Sequence, residues 1–167
     1  MNELKWYCFG QNNTGGFFIT DVKVCHRVYI EAVSFKEAVE KAEQLGSYWD
    51  GVSSGRDCSC CGDRWSKRND NPIDLNEIQN TTFEADVFDG CYSDTVAKWN
   101  EMYGEFEIIE QPKFVKKWGK RYTGKIKIHT LEQYVQYNAN KYGWTNPDAR
   151  LYYANGNVTE IFPKREI

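Results

Sequence analysis

The sequence predicts an α+β domain: an antiparallel sheet with two principal helices on one face and a long irregular Cys/Gly-rich loop. Three observations lead there. Short segments rich in aromatic and β-branched residues carry the alternation expected of strands. Two capping boxes, at Ser34/Glu37 and Thr130/Gln133, each open a helical apolar stripe. From Ser47 to Asn80 the chain is dense in Gly, Ser, Asp and Asn and shows neither period. The 167 residues suffice for a core without staples, so a single domain over 1–167 is expected.

Lys5 to Gly10 (KWYCFG) and Val24 to Ala32 (VCHRVYIEA) read as strands, the second alternating at Val24, His26, Val28 and Ile30. Between them QNNTGG supplies residues that tolerate a left-handed backbone, and Phe17 to Thr20 reads as a further short strand. Ser34 opens a helix with Phe35, Ala38, Ala42 and Leu45 on one face and Gly46 as its stop. A strand is expected over Phe83 to Phe88, a short helix over Thr95 to Tyr103, and a strand over Phe106 to Glu110 that Pro112 ends. Lys125 to His129 alternates as a strand, and the second capped helix runs from Thr130 to Tyr142 with Gly143 behind it. Arg150 to Ala154, Asn155-Gly156 and Asn157 to Phe162 form a hairpin around a favoured turn pair.

Composition removes several classes of function. A formal net charge of -3 argues against a protein that coats nucleic acid and is too mild for an acidic mimic of DNA. The N-terminus lacks a basic stretch followed by an apolar one, and no apolar run has the length of a membrane span. A cytoplasmic protein is expected, with its six cysteines reduced and read as buried small hydrophobes, metal ligands or reactive thiols before disulfides. Charge is uneven along the chain: acids dominate from Asp74 to Glu110 against Lys98 alone, and Lys113, Lys116, Lys117, Lys120, Arg121, Lys125 and Lys127 follow. The simplest account is two faces that neutralise each other.

The segment GRDCSCCGDRW, from Gly55 to Trp65, concentrates the chemistry. Cys58 and Cys61 have the spacing of one half of a zinc knuckle, with Gly62 after them. The least remote third ligand is Cys91, because Cys25 and His26 are neighbours on a strand and point to opposite faces. A structural reading ranks ahead of zinc: sulfurs packed inward, with Arg56, Arg64 and Trp65 facing outward on a rigid presenting loop. No cofactor is assigned. Catalysis has little support, since the chain holds two histidines and no phosphate loop, dinucleotide fingerprint or nucleophile elbow. Asp50, Asp57 and Asp63 remain the carboxylates an enzyme would use, with turn formation as their simpler role. Aromatic residues make up 16% of the chain. Phe114, Trp118 and Tyr122 interleave with Lys116, Lys117, Lys120 and Arg121, which suits a nucleotide better than a reaction.

The runs KWYCFGQNNTGG and VCHRVYIEA, with YWDGV and CCGDRW further on, resemble a group of uncharacterised small proteins of tailed bacteriophages, the likeness ending near Trp65. Such a resemblance implies an accessory protein acting in the host cytoplasm and not an established activity. The expected function is therefore non-enzymatic: sequestration of a small anionic, nucleotide-like ligand to counter host defence signalling. Trp49, Trp65 and Trp118 would stack on it, Arg56, Arg64 and Lys120 would meet phosphates, and Asn12 and Asn13 would read base or ribose edges. A homo-oligomer would close the pocket. The alternatives are a protein-binding inhibitor of a host factor, a nucleotide-degrading enzyme and a zinc-stabilised module.

Overall fold

A computed structural model describes residues 2–75, 81–88, 106–116, 120–142 and 149–162. Their contacts divide the chain into two compact units, Met1–Asp74 with Trp144–Ile167, and Leu75–Gly143. The class is α+β, as the patterning requires. The strands form two sheets rather than one, and one of these contains a parallel pair.

In the first unit the sheet runs β1-β2-β6-β7, with β1 at Lys5–Gly10, β2 at Arg27–Ala32, β6 at Ala149–Tyr152 and β7 at Val158–Ile161. β1 and β2 pair antiparallel with Tyr7 opposite Ile30 and Phe9 opposite Val28, so the alternate residues fall on one face. That face is buried, and it carries Tyr7, Phe9, Val28, Ile30 and Ala32. Helix α1, Phe35–Leu45, covers it through Ala38 and Ala42, while the Phe35 ring stacks on Phe9 at 6.0 Å between centroids. Both helix ends are made as the sequence predicts. Glu37 N–H donates to Ser34 Oγ at 3.2 Å, Val33 N–H donates to the Glu37 carboxylate at 3.0 Å, and Gly46 closes the last turn in a left-handed conformation at φ 110°.

Phe17 to Thr20 is not a strand, and the strand expected from Val24 begins at Arg27. The chain between β1 and β2 is instead pinned by the buried Gln11 side chain. Its Nε2 donates to the carbonyls of Ile19 and Cys25, each at 2.7 Å, and its Oε1 accepts from Ile19 N–H at 2.8 Å. The outer edge of β1 is met by isolated bridges Gln11 to Trp65 and Trp6 to Ile73. These lay the irregular segment after α1 along the sheet.

In the second unit β3 (Thr81–Phe88), β5 (Lys120–Ile128) and β4 (Glu107–Lys116) form an antiparallel sheet in the order β3-β5-β4. Helix α2, Leu131–Tyr142, contributes Tyr134 and Tyr137 to a core of Phe106, Ile126 and Ile128. Thr130 Oγ1 accepts from Gln133 N–H at 3.2 Å, completing the predicted cap. Strand β4 continues through Pro112, where the register with β5 shifts. In this register Lys125 is the partner of Glu84 on β3 and of Glu110 on β4, and Lys127 of Glu107. The helix expected over Thr95 to Tyr103 lies outside the described residues.

Candidate functional site

The segment from Ser47 to Trp65 is irregular in backbone but closed by its own bonds. A double turn ties Arg56 N–H and Asp57 N–H to the Gly51 carbonyl at 2.8 and 2.9 Å. Gly51 is required by space, since a Cβ there would stand 1.8 Å from Asp57 Oδ2. Asp57 is turned inward. Its Oδ1 accepts from Tyr48 O–H at 2.8 Å and its Oδ2 from Arg64 N–H at 2.7 Å. Burial, and then the bond to Asp57, raises the Tyr48 hydroxyl above its ordinary pKa.

Arg64 completes this buried polar centre. Its guanidinium donates to the Phe17 carbonyl at 2.6 Å and the Thr14 carbonyl at 3.0 Å, lies 4.5 Å over the Phe17 ring, and brings Nε to 3.5 Å from Asp57 Oδ1. The exposures of the Arg64 and Asp57 side chains are 2% and 0%. Trp65 is 1% exposed and belongs to the core beneath α1. The expectation that Arg64 and Trp65 face outward is therefore corrected: the guanidinium is taken up by backbone carbonyls and the indole by the core, and neither offers a face to a ligand.

The sulfurs are the reverse of what was expected. Cys58 is half-buried and Cys60 and Cys61 are exposed. A tight turn draws them together, with Cys61 N–H and Gly62 N–H both donating to the Cys58 carbonyl at 3.1 and 3.0 Å, and Gly62 at φ 86° letting the chain leave. The base of the turn is fixed on both sides. Cys58 N–H donates to the buried Thr14 Oγ1 at 3.0 Å, and Asn12 Nδ2 donates to the Cys61 carbonyl at 2.6 Å. The three Sγ atoms lie within 4.8 Å of one another, Cys58 to Cys60 at 2.7 Å and Cys60 to Cys61 at 3.6 Å. Hydrogen bonds from the Cys60 thiol, then from the Cys60 amide, the Cys61 thiol and the Cys61 amide, bring the Cys58 thiol down to about 7. The same Cys58 thiolate pushes Cys60 up to about 11. Of the two, Cys58 is the thiol that ionises first.

The other predicted binding residues of the first unit are each engaged separately. Asn12 is spent on bracing the turn, and Asn13 is exposed, its carbonyl accepting from Gly16 N–H. Arg56 is exposed and lies 5.0 Å over the Tyr48 ring. Trp49 is half-buried against Phe9, with its Nε1 donating to Glu43 at 2.6 Å and Lys67 over its ring at 5.7 Å. Lys120 stands on β5 in the second unit, and Trp118 and Cys91 lie outside the described residues. Of the carboxylates, Asp57 is taken by Arg64 and Tyr48, and Asp63 accepts from Val52 N–H at 2.8 Å. The sequence offers Cys58, Cys61 and Cys91 as candidate ligands and leaves Cys60 out. The signal was its place between Cys58 and Cys61, which puts three thiols on one turn with no distant partner needed to gather them.

The family model described as a domain of unknown function (DUF7296) matches residues 4–109, a span that includes α1, the buried Asp57 and Arg64, and all three thiols of the turn. No curated protein and no solved structure matches the chain. Among the described residues no helix is long and apolar enough to cross a membrane.

Proposed function

We propose that this chain, which belongs to the DUF7296 family, binds a thiophilic cation, zinc first among them, through Cys58, Cys60 and Cys61. One observation carries the reading: three thiol sulfurs lie within 4.8 Å of one another on a single braced turn. Around a tetrahedral zinc with bonds of about 2.3 Å, sulfurs stand roughly 3.8 Å apart. The Cys60 to Cys61 separation of 3.6 Å is already near that, and the 2.7 Å pair needs only to open. Thiolate ligands select soft or borderline ions over calcium and magnesium. Amides aimed at the Cys58 sulfur stabilise it in the charged form that a metal requires. The three thiolates leave a fourth position for water or an outside donor.

A tailed-phage origin and a place in the host cytoplasm go with this reading, because that compartment keeps the thiols reduced. Sequestration of a nucleotide-like anion against host signalling keeps narrower support: Arg56 over Tyr48 and Lys67 over Trp49 are cation–ring pairs at the surface. It would have to proceed without Arg64 and Trp65.

Metal analysis of the reduced, untagged chain tests the metal reading. One equivalent of zinc is expected, replaceable by cobalt(II) with an intense thiolate-to-cobalt absorption, and both are lost when all three cysteines of the turn become serine. A reduced chain that carries no zinc and gives no cobalt spectrum removes the proposal.

A further inference from the structure

We propose that Cys58 and Cys60 form a reversible dithiol–disulfide couple, closed by low-molecular-weight disulfides such as oxidised glutathione, and that closing it takes the cation off the turn. The inference adds regulation to the metal reading and rests on it for the release step; the bond itself needs no metal.

The geometry selects this pair. Cys58 Sγ and Cys60 Sγ stand 2.7 Å apart, and Cys60 is exposed to an incoming disulfide. Cys60 and Cys61 are 3.6 Å apart but adjacent in sequence, so joining them would force the intervening peptide bond out of its planar trans form. Cys58 and Cys60 are separated by Ser59, which spares that bond. The turn's anchors, Thr14 under Cys58 and Asn12 under Cys61, touch backbone and no sulfur, so closing the pair leaves them in place.

The chemistry balances with glutathione as the partner. One protein thiolate attacks oxidised glutathione, forming a mixed disulfide and expelling a glutathione thiolate. The second protein sulfur attacks the first, forming the intramolecular bond and expelling the other glutathione thiolate. Two protein thiols are oxidised, one glutathione disulfide is reduced, and the two thiol protons end on the two glutathiones. Joining Cys58 to Cys60 removes two of three ligands at once, and Cys61 alone does not hold zinc. So short a loop gains little chain-entropy stabilisation, and an exposed bond is open to attack by thiols. The couple is therefore readily reversed, which distinguishes a switch from a structural staple.

The test equilibrates the zinc-loaded full chain in glutathione buffers of increasing oxidised fraction. A chromophoric chelator follows released zinc, and mass spectrometry follows the tryptic peptide Asp57–Arg64, which contains all three thiols. Expected is a loss of two hydrogens from that peptide, with Cys61 still open to alkylation, in step with zinc release and undone by reduced glutathione. C61S should still close the bond, and C60S should stop at the mixed disulfide. Zinc retained in oxidised glutathione with all three thiols free overturns the couple and leaves the metal reading intact. So does a bond that maps to Cys58 and Cys61, as far as the pair is concerned. A chain that forms the Cys58–Cys60 bond but never holds zinc keeps the couple, and overturns the release step with the metal reading.

Discussion

The two ends of the turn from Asp57 to Trp65 treat residue types in opposite ways. At one end a carboxylate, a guanidinium and an indole are sealed from water; at the other, two of three sulfurs lie open to it. Residue averages point the other way, since cysteine is among the most buried types and arginine among the least. What decides is the supply of partners. Asp57 receives Tyr48 O–H and Arg64 N–H, and the Arg64 guanidinium finds two carbonyls from the chain before β2. The thiols lose little by exposure and gain a common centre. The difference teaches that the charged end builds the platform and the sulfur end presents reactive groups on it.

The sharpest way to break this comparison is to remove the carboxylate. Asp57→Ala leaves the Arg64 guanidinium buried without its countercharge, and Tyr48 without an acceptor. Losing one partner of a buried pair costs about 3–5 kcal/mol. Denaturant unfolding should show this loss, and zinc binding should fall with it because the turn loses its base. A double-mutant cycle with Arg64→Met should recover much of the loss, since the charge is then absent. If Asp57→Ala unfolds within about 1 kcal/mol of the parent, the pair is not the platform we describe.

That dependence on remote partners explains which parts of the molecule were legible in the sequence. The caps at Ser34 and Thr130 and the stop at Gly46 rest on bonds between residues a few positions apart, and each is found where its residues predict. The final hairpin forms too, but Gly156 N–H donates to the Tyr153 carbonyl and Tyr152 pairs with Val158, so its turn centres on Ala154-Asn155 and not on the expected Asn155-Gly156. The parallel pairing of β2 with β6 joins Arg27 to Ala149, a separation no local pattern encodes. Pro112 does not end β4 because β4 is an edge strand and the proline falls at a register shift, where no ladder bond is asked of it. Arg64 was read outward for the same kind of reason. Its acceptors, Thr14 and Phe17, lie far back in the chain, and nothing near Arg64 announces them. The thiol turn could have been read in full, because its three cysteines span four positions.

A smaller effect tests the link between the two ends. At Gly51 an added methyl would enter the space of the Asp57 carboxylate, at 1.8 Å from Oδ2. Gly51→Ala should therefore cost about 1–3 kcal/mol, as overpacking does elsewhere. It should also weaken zinc binding measured by chelator competition, since Asp57 immediately precedes Cys58. Lost stability with unchanged zinc affinity would separate the platform from the turn.

The smallest expected effect isolates the sulfur end. Cys60 is exposed and its side chain touches sulfur alone among the bonds described, so Cys60→Ala should change stability by less than about 0.5 kcal/mol. Its effect belongs to reactivity. In the reduced, metal-free chain, alkylation of Cys58 should rise through a midpoint at about 7, because the thiolate is the attacking form and Cys60 holds it charged. Cys60 itself should lag behind Cys58 in alkylation, its thiol being pushed up to about 11 while Cys58 is charged. Removing the Cys60 thiol takes away the largest of the bonds that lower Cys58, while the amides of residues 60 and 61 and the Cys61 thiol remain. The Cys58 midpoint should then move upward without reaching that of an ordinary thiol. A midpoint that stays put would mean that the amides and the Cys61 thiol hold the charge without Cys60, and that the close contact between Cys58 and Cys60 is not a hydrogen bond at all.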